Sequence, residues 1–249
     1  MEYPKITVVT PSYNQGQFIE ATIQSVIGQQ YPNLEYLVCD GGSTDETVKI
    51  LKKYTDKITW WCSEKDKGQS DAINKGMRRA TGDIVCWINS DDVLLPGTLH
   101  TVAKFYHDHP DTDFANGYTV EIDKEGKIIN FTHIVMNHFF FRHGCYNISQ
   151  PGMFWKRAIF DKIGYLDESF HAKMDVEWLI RVYEAGLKVR RINRNLGAIR
   201  IYPDTKTAQG GNIWTRDTDA LREMYHGKYL PENGKLYRPF FKLYKILDG

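Results

Sequence analysis

Apolar positions in the first ninety residues concentrate in short runs, at 6–10, 34–39, 58–62 and 84–88, the last of them unbroken. None of these runs alternates with polar residues, as expected for strands covered on both faces. The intervals read differently. A Pro-Ser-Tyr-Asn turn leads to helical spacing up to about residue 29, and Gly41-Gly42-Ser43 to a helix from about residue 45. An acidic loop leads to a helix ending near Gly82. This βαβα rhythm predicts a parallel sheet with right-handed crossovers and helices on both faces.

After Pro96 the pattern changes. A helix is expected over 99–107, stopped by Pro110, then a hairpin over 114–129 that turns at Asp123-Lys124-Glu125-Gly126. The stretch 130–146 is aromatic and His-rich, with Phe139, Phe140 and Phe141 in a row. It reads as a helix packed on the sheet or as an acceptor wall, core packing being the commoner use. Residues 174–185 form a helix closed by Gly186 at C′, and 187–192 and 197–201 look like strands. Near the end, Tyr237, Phe240, Phe241, Tyr244 and Leu247 recur at helical spacing, while Arg238, Lys242 and Lys245 fall elsewhere on the wheel. That is an amphipathic basic helix, suited to packing on the domain or to peripheral contact with an anionic membrane surface. The expected organisation is one unit over 1–215, its halves meeting at 95/96, and a helical extension over 216–249.

Composition narrows the function classes. With 249 residues, 42% hydrophobic and 25% charged, the chain resembles an ordinary soluble globular protein. A net charge of +1 supplies no global attraction to nucleic acid, so none is expected as a partner. No apolar run approaches the roughly 20 residues of a membrane span, and the first strand follows Pro4 too closely for a signal peptide. Cys39, Cys62, Cys86 and Cys145 form no CxxC pair, which argues against a zinc or redox motif and fits a reducing, cytoplasmic setting.

The strongest chemical signal is Trp87-Ile88-Asn89-Ser90-Asp91-Asp92, a buried strand ending in two adjacent carboxylates. Such a pair repels itself and loses hydration, and a divalent cation makes it favourable. Oxygen ligands suit Mg²⁺ or Mn²⁺, which usually arrive with a phosphate-bearing substrate. The alternative is that Asp91 or Asp92 caps the helix after Pro96. In parallel sheets ligands bind at the carboxyl ends of the strands. Asp40, Glu64 with Asp66, and Asp91 with Asp92 leave three strands at that same edge, which points to an acidic cleft.

Five strings occur in order: Thr10-Pro11-Ser12-Tyr13-Asn14; Asp40-Gly41-Gly42-Ser43-Thr44-Asp45; Gly68-Gln69-Ser70-Asp71-Ala72-Ile73-Asn74-Lys75-Gly76; Asn89-Ser90-Asp91-Asp92; and Met174-Asp175-Val176-Glu177-Trp178-Leu179-Ile180-Arg181. Together they resemble a family 2 glycosyltransferase of the inverting, GT-A type. The resemblance implies an α/β fold with a Rossmann-like, mostly parallel sheet and helices on both faces, a small acceptor-side α+β portion and a C-terminal helix. Residues 1–95 would bind the nucleotide-sugar and 96–215 the acceptor.

The resemblance also implies roles. Asp40 accepts a hydrogen bond from the base, or else braces the Gly41-Gly42 turn. Pro11, Tyr13, Asn14 and Gly42 line the donor. Asp66 contacts base or ribose, with Gly68 and Gln69 offering close backbone approach, or this loop is a solvated turn. Asp92 is the direct metal ligand, and Asp91 contacts ribose or metal-bound water. Asp175 is the base that takes the acceptor's proton, or a stabiliser of its helix start. Glu177 is its substitute, and only one of the two can face the cleft. Gln150, Trp155 and Trp178 are acceptor-side candidates, a buried core aromatic being the commoner role for either Trp.

There are departures from the pattern. Gly41 stands where the family often has a second acid, and Tyr202 where many members have a metal-binding His. Arg200 and Lys206 are candidate diphosphate contacts, and Gln209-Gly210-Gly211-Asn212 resembles a hinge. The family's QxxRW motif and membrane spans are absent, which implies addition of a single sugar. The expected function is transfer from a nucleotide-sugar, a UDP-sugar foremost, to a hydroxyl of a saccharide or lipid-linked saccharide. Mn²⁺ or Mg²⁺ would assist, in cell-surface polysaccharide biosynthesis at the inner face of the membrane. Rival readings are a nucleotidyltransferase, whose basic Gly-rich loop after the first strand is missing here, and a non-catalytic sugar-nucleotide-binding protein.

Overall fold

A computed structural model of the chain describes residues 3–205, 208 and 210–248. Lys206 and Gln209 lie outside the described residues. Three strand–helix units open the fold: β1 (Ile6–Ser12) with α1 (Ile19–Ile27), β2 (Leu34–Asp40) with α2 (Thr47–Lys53), and β3 (Trp60–Ser63) with α3 (Gln69–Arg79). Next come β4 (Ile84–Trp87), β5 (Val93–Leu94), α4 (Thr98–Asp108) and the hairpin of β6 (Phe114–Ile122) and β7 (Ile128–Thr132). The remainder is α5 (His138–Arg142), β8 (Met153–Lys156), α6 (Ile159–Ile163), α7 (Met174–Glu184), β9 (Val189–Arg200), α8 (Asn212–Met224) and α9 (Arg238–Leu247).

The described strands form one sheet in the order β3-β2-β1-β4-β8-β6-β9-β5, with β7 added to β6. The first four are parallel, as the rhythm predicted. Beyond β4 the sheet is mixed: β8 is antiparallel to β4 and β6, β9 is parallel to β6, and β5 is antiparallel to β9. Purely parallel pairing belongs to the first half, and in the second it recurs between β6 and β9, so the sheet as a whole is mostly parallel.

Burial follows the pattern that produced the elements. β1 is buried along its whole length, and α1 turns Ile19, Thr22, Ile23 and Val26 inward at helical spacing. α3 lies unusually close to the sheet because Gly76 faces it. A Cβ there would meet Val9 Cγ1 at 2.4 Å.

Several expectations are refined. The segments 187–192 and 197–201 are one strand, β9. Ile192 pairs with Gly117 and Asn195 with Tyr118, so the polar residues between them form a bulge and not a strand end. The hairpin turns where expected, with Asp123 N donating to Lys127 O at 2.9 Å. In 130–146, β7 runs on to Thr132 and α5 buries Phe140 and Phe141, so core packing prevails. α7 ends at a left-handed Gly186, with Leu187 N donating to Val182 O at 3.2 Å and Gly186 N to Tyr183 O at 3.1 Å. The border expected at 215/216 falls inside α8.

α9 has two differently employed apolar faces. Phe241 and Tyr244 meet the ring of Phe140, and Tyr237 meets Phe139. Phe240 (65% exposed), Leu243, Ile246 (77%) and Leu247 face solvent. No helix among the described residues is long and apolar enough to cross a membrane.

Candidate active site

The carboxyl ends of β1, β2 and β3 are laced into one rim. Asn14, held at φ 51°, donates its N–H to Ser43 Oγ at 2.7 Å and accepts Thr44 N–H on Oδ1 at 3.0 Å. Gly16 N donates to Asp45 Oδ2 at 2.8 Å. The loop after β1 is thus fastened to the loop after β2, while Tyr13 projects from the rim, 61% exposed. Pro11 is buried within β1.

Asp40 is buried and well supplied with donors. Its Oδ2 accepts from Gly42 N (3.2 Å), Ser43 N (2.9 Å) and Ser63 Oγ (2.6 Å), and Oδ1 from Ser43 Oγ (2.5 Å). It braces the left-handed Gly42 turn (φ 83°). The glycine at 41 has a steric reason: a Cβ there would meet Asp66 Oδ2 at 2.6 Å. Asp66 occupies the space a second acid at 41 would need, and Gly68 N holds it by donating to Oδ1 at 2.9 Å.

From Asp66 a hydrogen-bonded wall continues to β4. Gln69, the first residue of α3, donates from Nε2 to Asn89 Oδ1 at 2.8 Å, and Asn89 Nδ2 donates to Asp92 Oδ2 at 3.1 Å. Asp92 Oδ1 accepts Arg200 N–H at 2.9 Å, and Tyr202 donates its hydroxyl to Asp91 Oδ2 at 3.0 Å. Asp66, Asp91 and Asp92 thus line one continuous edge.

Neither Asp91 nor Asp92 caps α4, whose N-cap is Gly97 without a side-chain bond; the capping alternative is set aside. Asp92 is buried, and its carboxyl is held well above the usual range, first by burial and then by the charge of Asp91. Burial also pushes the Tyr202 phenol up to about 12, assisted by Asp91. Negative charge is in excess here. Among the described residues no cluster of three His, Cys, Asp or Glu forms. A Mg²⁺ or Mn²⁺ held by Asp91 and Asp92 would take its remaining ligands from water and donor phosphates, as these ions usually do.

Arg200 is committed elsewhere. Its Nε donates to Asp91 O, its guanidinium also to Asp123 O and Lys124 O, and it stands 4.8 Å from the Phe18 ring centroid. It straps the β6–β7 turn to the acidic loop and is buried, so its expected role on a diphosphate is corrected to a structural one.

Asp175 opens α7 and is half-buried, its Oδ1 accepting Val176 N–H at 2.8 Å. Long-range contacts bring this end of α7 to the rim. Ser70, beside Gln69, touches Met174 Sδ at 2.9 Å, and Asn74 bonds both the N–H and the carbonyl of Leu166. The segment before Asp175 is clamped by a residue the motifs did not point to. Asp217 Oδ2 accepts from His171 N (3.0 Å), Ala172 N (2.7 Å) and Lys173 N (3.1 Å). Its only sequence signal is a carboxylate one turn before Leu221 on the buried stripe of α8.

Three acceptor-side expectations are corrected. Glu177 is buried and grips Arg181 through both oxygens (2.8 and 2.7 Å), which rules it out as a substitute base. Two positions along a helix from Asp175, it faces the other way. Trp155 and Trp178 lie inside the core with ring centroids 4.8 Å apart and present no face for a sugar. Gln150 is buried below the rim, donating Nε2 to Trp87 O while its Oε1 is unpartnered.

Comparison with known proteins agrees with this architecture. The model of the glycosyl transferase family 2 matches residues 7–165. A putative teichuronic acid biosynthesis glycosyltransferase, TuaG of Bacillus subtilis, is 32% identical over 133 residues, covering 52% of this chain and 53% of that protein. A GalNAc(5)-diNAcBac-PP-undecaprenol beta-1,3-glucosyltransferase of Campylobacter jejuni is 32% identical over 129 residues, 50% of this chain and 41% of its own. The chain therefore spans about half the length, or less, of these relatives. S. aureus TarS 1–349 in complex with UDP-GlcNAc superposes with a TM-score of 0.68 at 19% identity, over 84% of this chain and 61% of that one. The mannosyltransferase PcManGT of Pyrobaculum calidifontis, in complex with GDP-Man and Mn²⁺, gives 0.66 at 18% identity, over 99% and 70%. With a rim built where the parallel strands end and a family model that spans well over half its length, this chain belongs to the glycosyl transferase family 2.

Proposed function

We propose that the protein is an inverting glycosyltransferase that moves one sugar from a UDP-sugar to a hydroxyl of a saccharide or lipid-linked saccharide in cell-surface polysaccharide assembly. The observation that carries this is the buried Asp92 beside Asp91, wired through Asn89 and Gln69 to the loops after β2 and β3. In this reading Asp66, Tyr13 and the loop of Asn14 hold the nucleoside. Asp40 acts mainly through the Gly42 turn, since its oxygens already accept four hydrogen bonds. Bound at Asp91 and Asp92, Mn²⁺ or Mg²⁺ supplies Lewis-acid stabilisation of the charge on the departing diphosphate. Asp175 takes the acceptor's proton as the new C–O bond forms on the face opposite the breaking bond to phosphate. Such placed bases are worth about 10²–10⁴-fold in rate.

Calorimetric titration of UDP and of GDP, each with Mn²⁺ and with EDTA, tests the donor site. UDP is expected to bind only with metal and to lose binding in Asp92→Ala; failure of both nucleotides to bind with metal present would sink the reading.

A peripheral membrane position for the acceptor side fits α9. Its outer stripe of Phe240, Leu243, Ile246 and Leu247 is flanked by Arg238, Lys242 and Lys245, with no acid between 233 and 247. Flotation with anionic vesicles at low salt is expected, and indifference to them would discard this position.

A further inference from the structure

A concavity lies at the amino-terminal end of α7, with Lys173 in its wall. It is an open groove of about 320 Å³ between the start of α7, α8 and the 3₁₀ turn Glu232–Tyr237. Lys173, Arg222 and Lys235 bring three cations to its wall, Trp214 an aromatic face, and Thr215 a hydroxyl. The one acid there, Asp219, is paired with Arg222 at 3.1 Å.

The cations are not equivalent. Arg222 is occupied by Asp219 and by Leu230 O at 2.6 Å. Lys173 is half-buried and donates to Tyr146 Oη at 3.0 Å, its ammonium 5.2 Å from the Trp214 ring centroid. Among the described residues neither Lys173 nor Lys235 forms an ion pair. Asp175 and Asp217 act on Lys173 only at longer range. A concave wall with these two ammonium groups and an indole suits an anion attached to a sugar: phosphoryl oxygens on the ammonium groups, the apolar sugar face on the ring.

Position decides which anion. Lys173 precedes Asp175 by two residues in the chain, and in the reading proposed above the acceptor's hydroxyl approaches that end of α7. Lys235 belongs to the turn that runs directly into α9, the helix with the exposed apolar stripe.

We propose that this pocket binds the phosphoryl group of the acceptor, a saccharide carried on a phosphate-linked lipid. The proposal rests on the reading of Asp175 as the entry side of the acceptor hydroxyl.

Inorganic pyrophosphate and glucuronate, titrated in EDTA into wild type, Lys173→Gln and Lys235→Gln, test it, alongside UDP with Mn²⁺. Pyrophosphate affinity is expected to fall about tenfold in each variant, the size of one lost charge-assisted contact, while UDP binding stays unchanged. Lys235 is exposed, so its variant keeps the test meaningful if Lys173→Gln folds poorly. Equal pyrophosphate affinity in all three proteins, no pyrophosphate binding by wild type, or tighter binding of glucuronate would each overturn the proposal. A wild type that binds pyrophosphate but not UDP with Mn²⁺ would instead overturn the donor-site reading and leave the anion pocket standing.

Discussion

Two buried carboxylates lie near opposite ends of the parallel strands. Glu35, near the start of β2, accepts from Thr7 Oγ1 (2.6 Å), Thr81 N (2.7 Å) and Thr81 Oγ1 (2.6 Å), and pairs with Lys5 at 3.0 Å. Burial pushes its carboxyl up, but these donors outweigh burial and hold it down at about 2. Asp92, after β4, accepts one backbone and one amide N–H and has Asp91 beside it, and it is held up. Burial alone therefore does not mark a functional acid. The difference lies in whether the fold itself supplies the compensating charge. At Glu35 it does. At Asp92 it does not.

The acid on the Glu35 side of this contrast with the largest expected effect is Asp217. Replacing it by Ala leaves three half-buried N–H groups of the segment before Asp175 without their acceptor and should cost about 3 kcal/mol in urea denaturation. A loss under 1 kcal/mol would break the comparison, because Asp217 would then not be a clamp.

Next is Glu35→Gln, expected to cost about 1–3 kcal/mol at neutral pH. A carboxyl with a depressed folded pKa stabilises above its ordinary value near 4.5. That contribution disappears as pH falls through the folded value near 2. The gap between variant and wild type should therefore close over that window, and a gap independent of pH would show that the carboxylate's charge plays no part.

The smallest effect sharpens the Asp92 side. A raised folded pKa stabilises only below the ordinary carboxylate value and is lost as pH climbs through the folded one. Metal-free protein should lose this contribution as pH rises from about 4. Asp91→Asn keeps an acceptor for Tyr202 and removes the repulsion, so it should stabilise the metal-free protein by about 1 kcal/mol at neutral pH while weakening stabilisation by Mn²⁺. Thermal melts with Mn²⁺ and with EDTA read both, and destabilisation in EDTA would contradict the charge argument.

Much of the fold around the rim was legible before any coordinates. Apolar runs without alternation placed β1, β2 and β4, and the turn residues of 41–43 and 123–126 placed their loops. The acids after β2, β3 and β4 were expected on one edge and stand there. The segment from β8 to α7 was less legible. β8 and α6 passed unseen because a four-residue strand and a five-residue helix carry too little periodicity. The two aromatic candidates, Trp155 and Trp178, went to the core, and Arg200 went to a strap, since a side chain's neighbours are set across the sheet.

The chain's own order of residues determined which segments become strands and helices, where their turns fall and which acids reach the rim. Those outcomes depend on period and turn chemistry within a few neighbours. Only the tertiary structure decided which acids are satisfied. Asp217 finds its partners 44 to 46 positions upstream, and Asp92 meets Arg200 108 positions away. Hydrogen bonds to buried groups have short range in space and none in sequence, so partnership, and with it the distinction between a clamp and a site, emerges only when the chain folds.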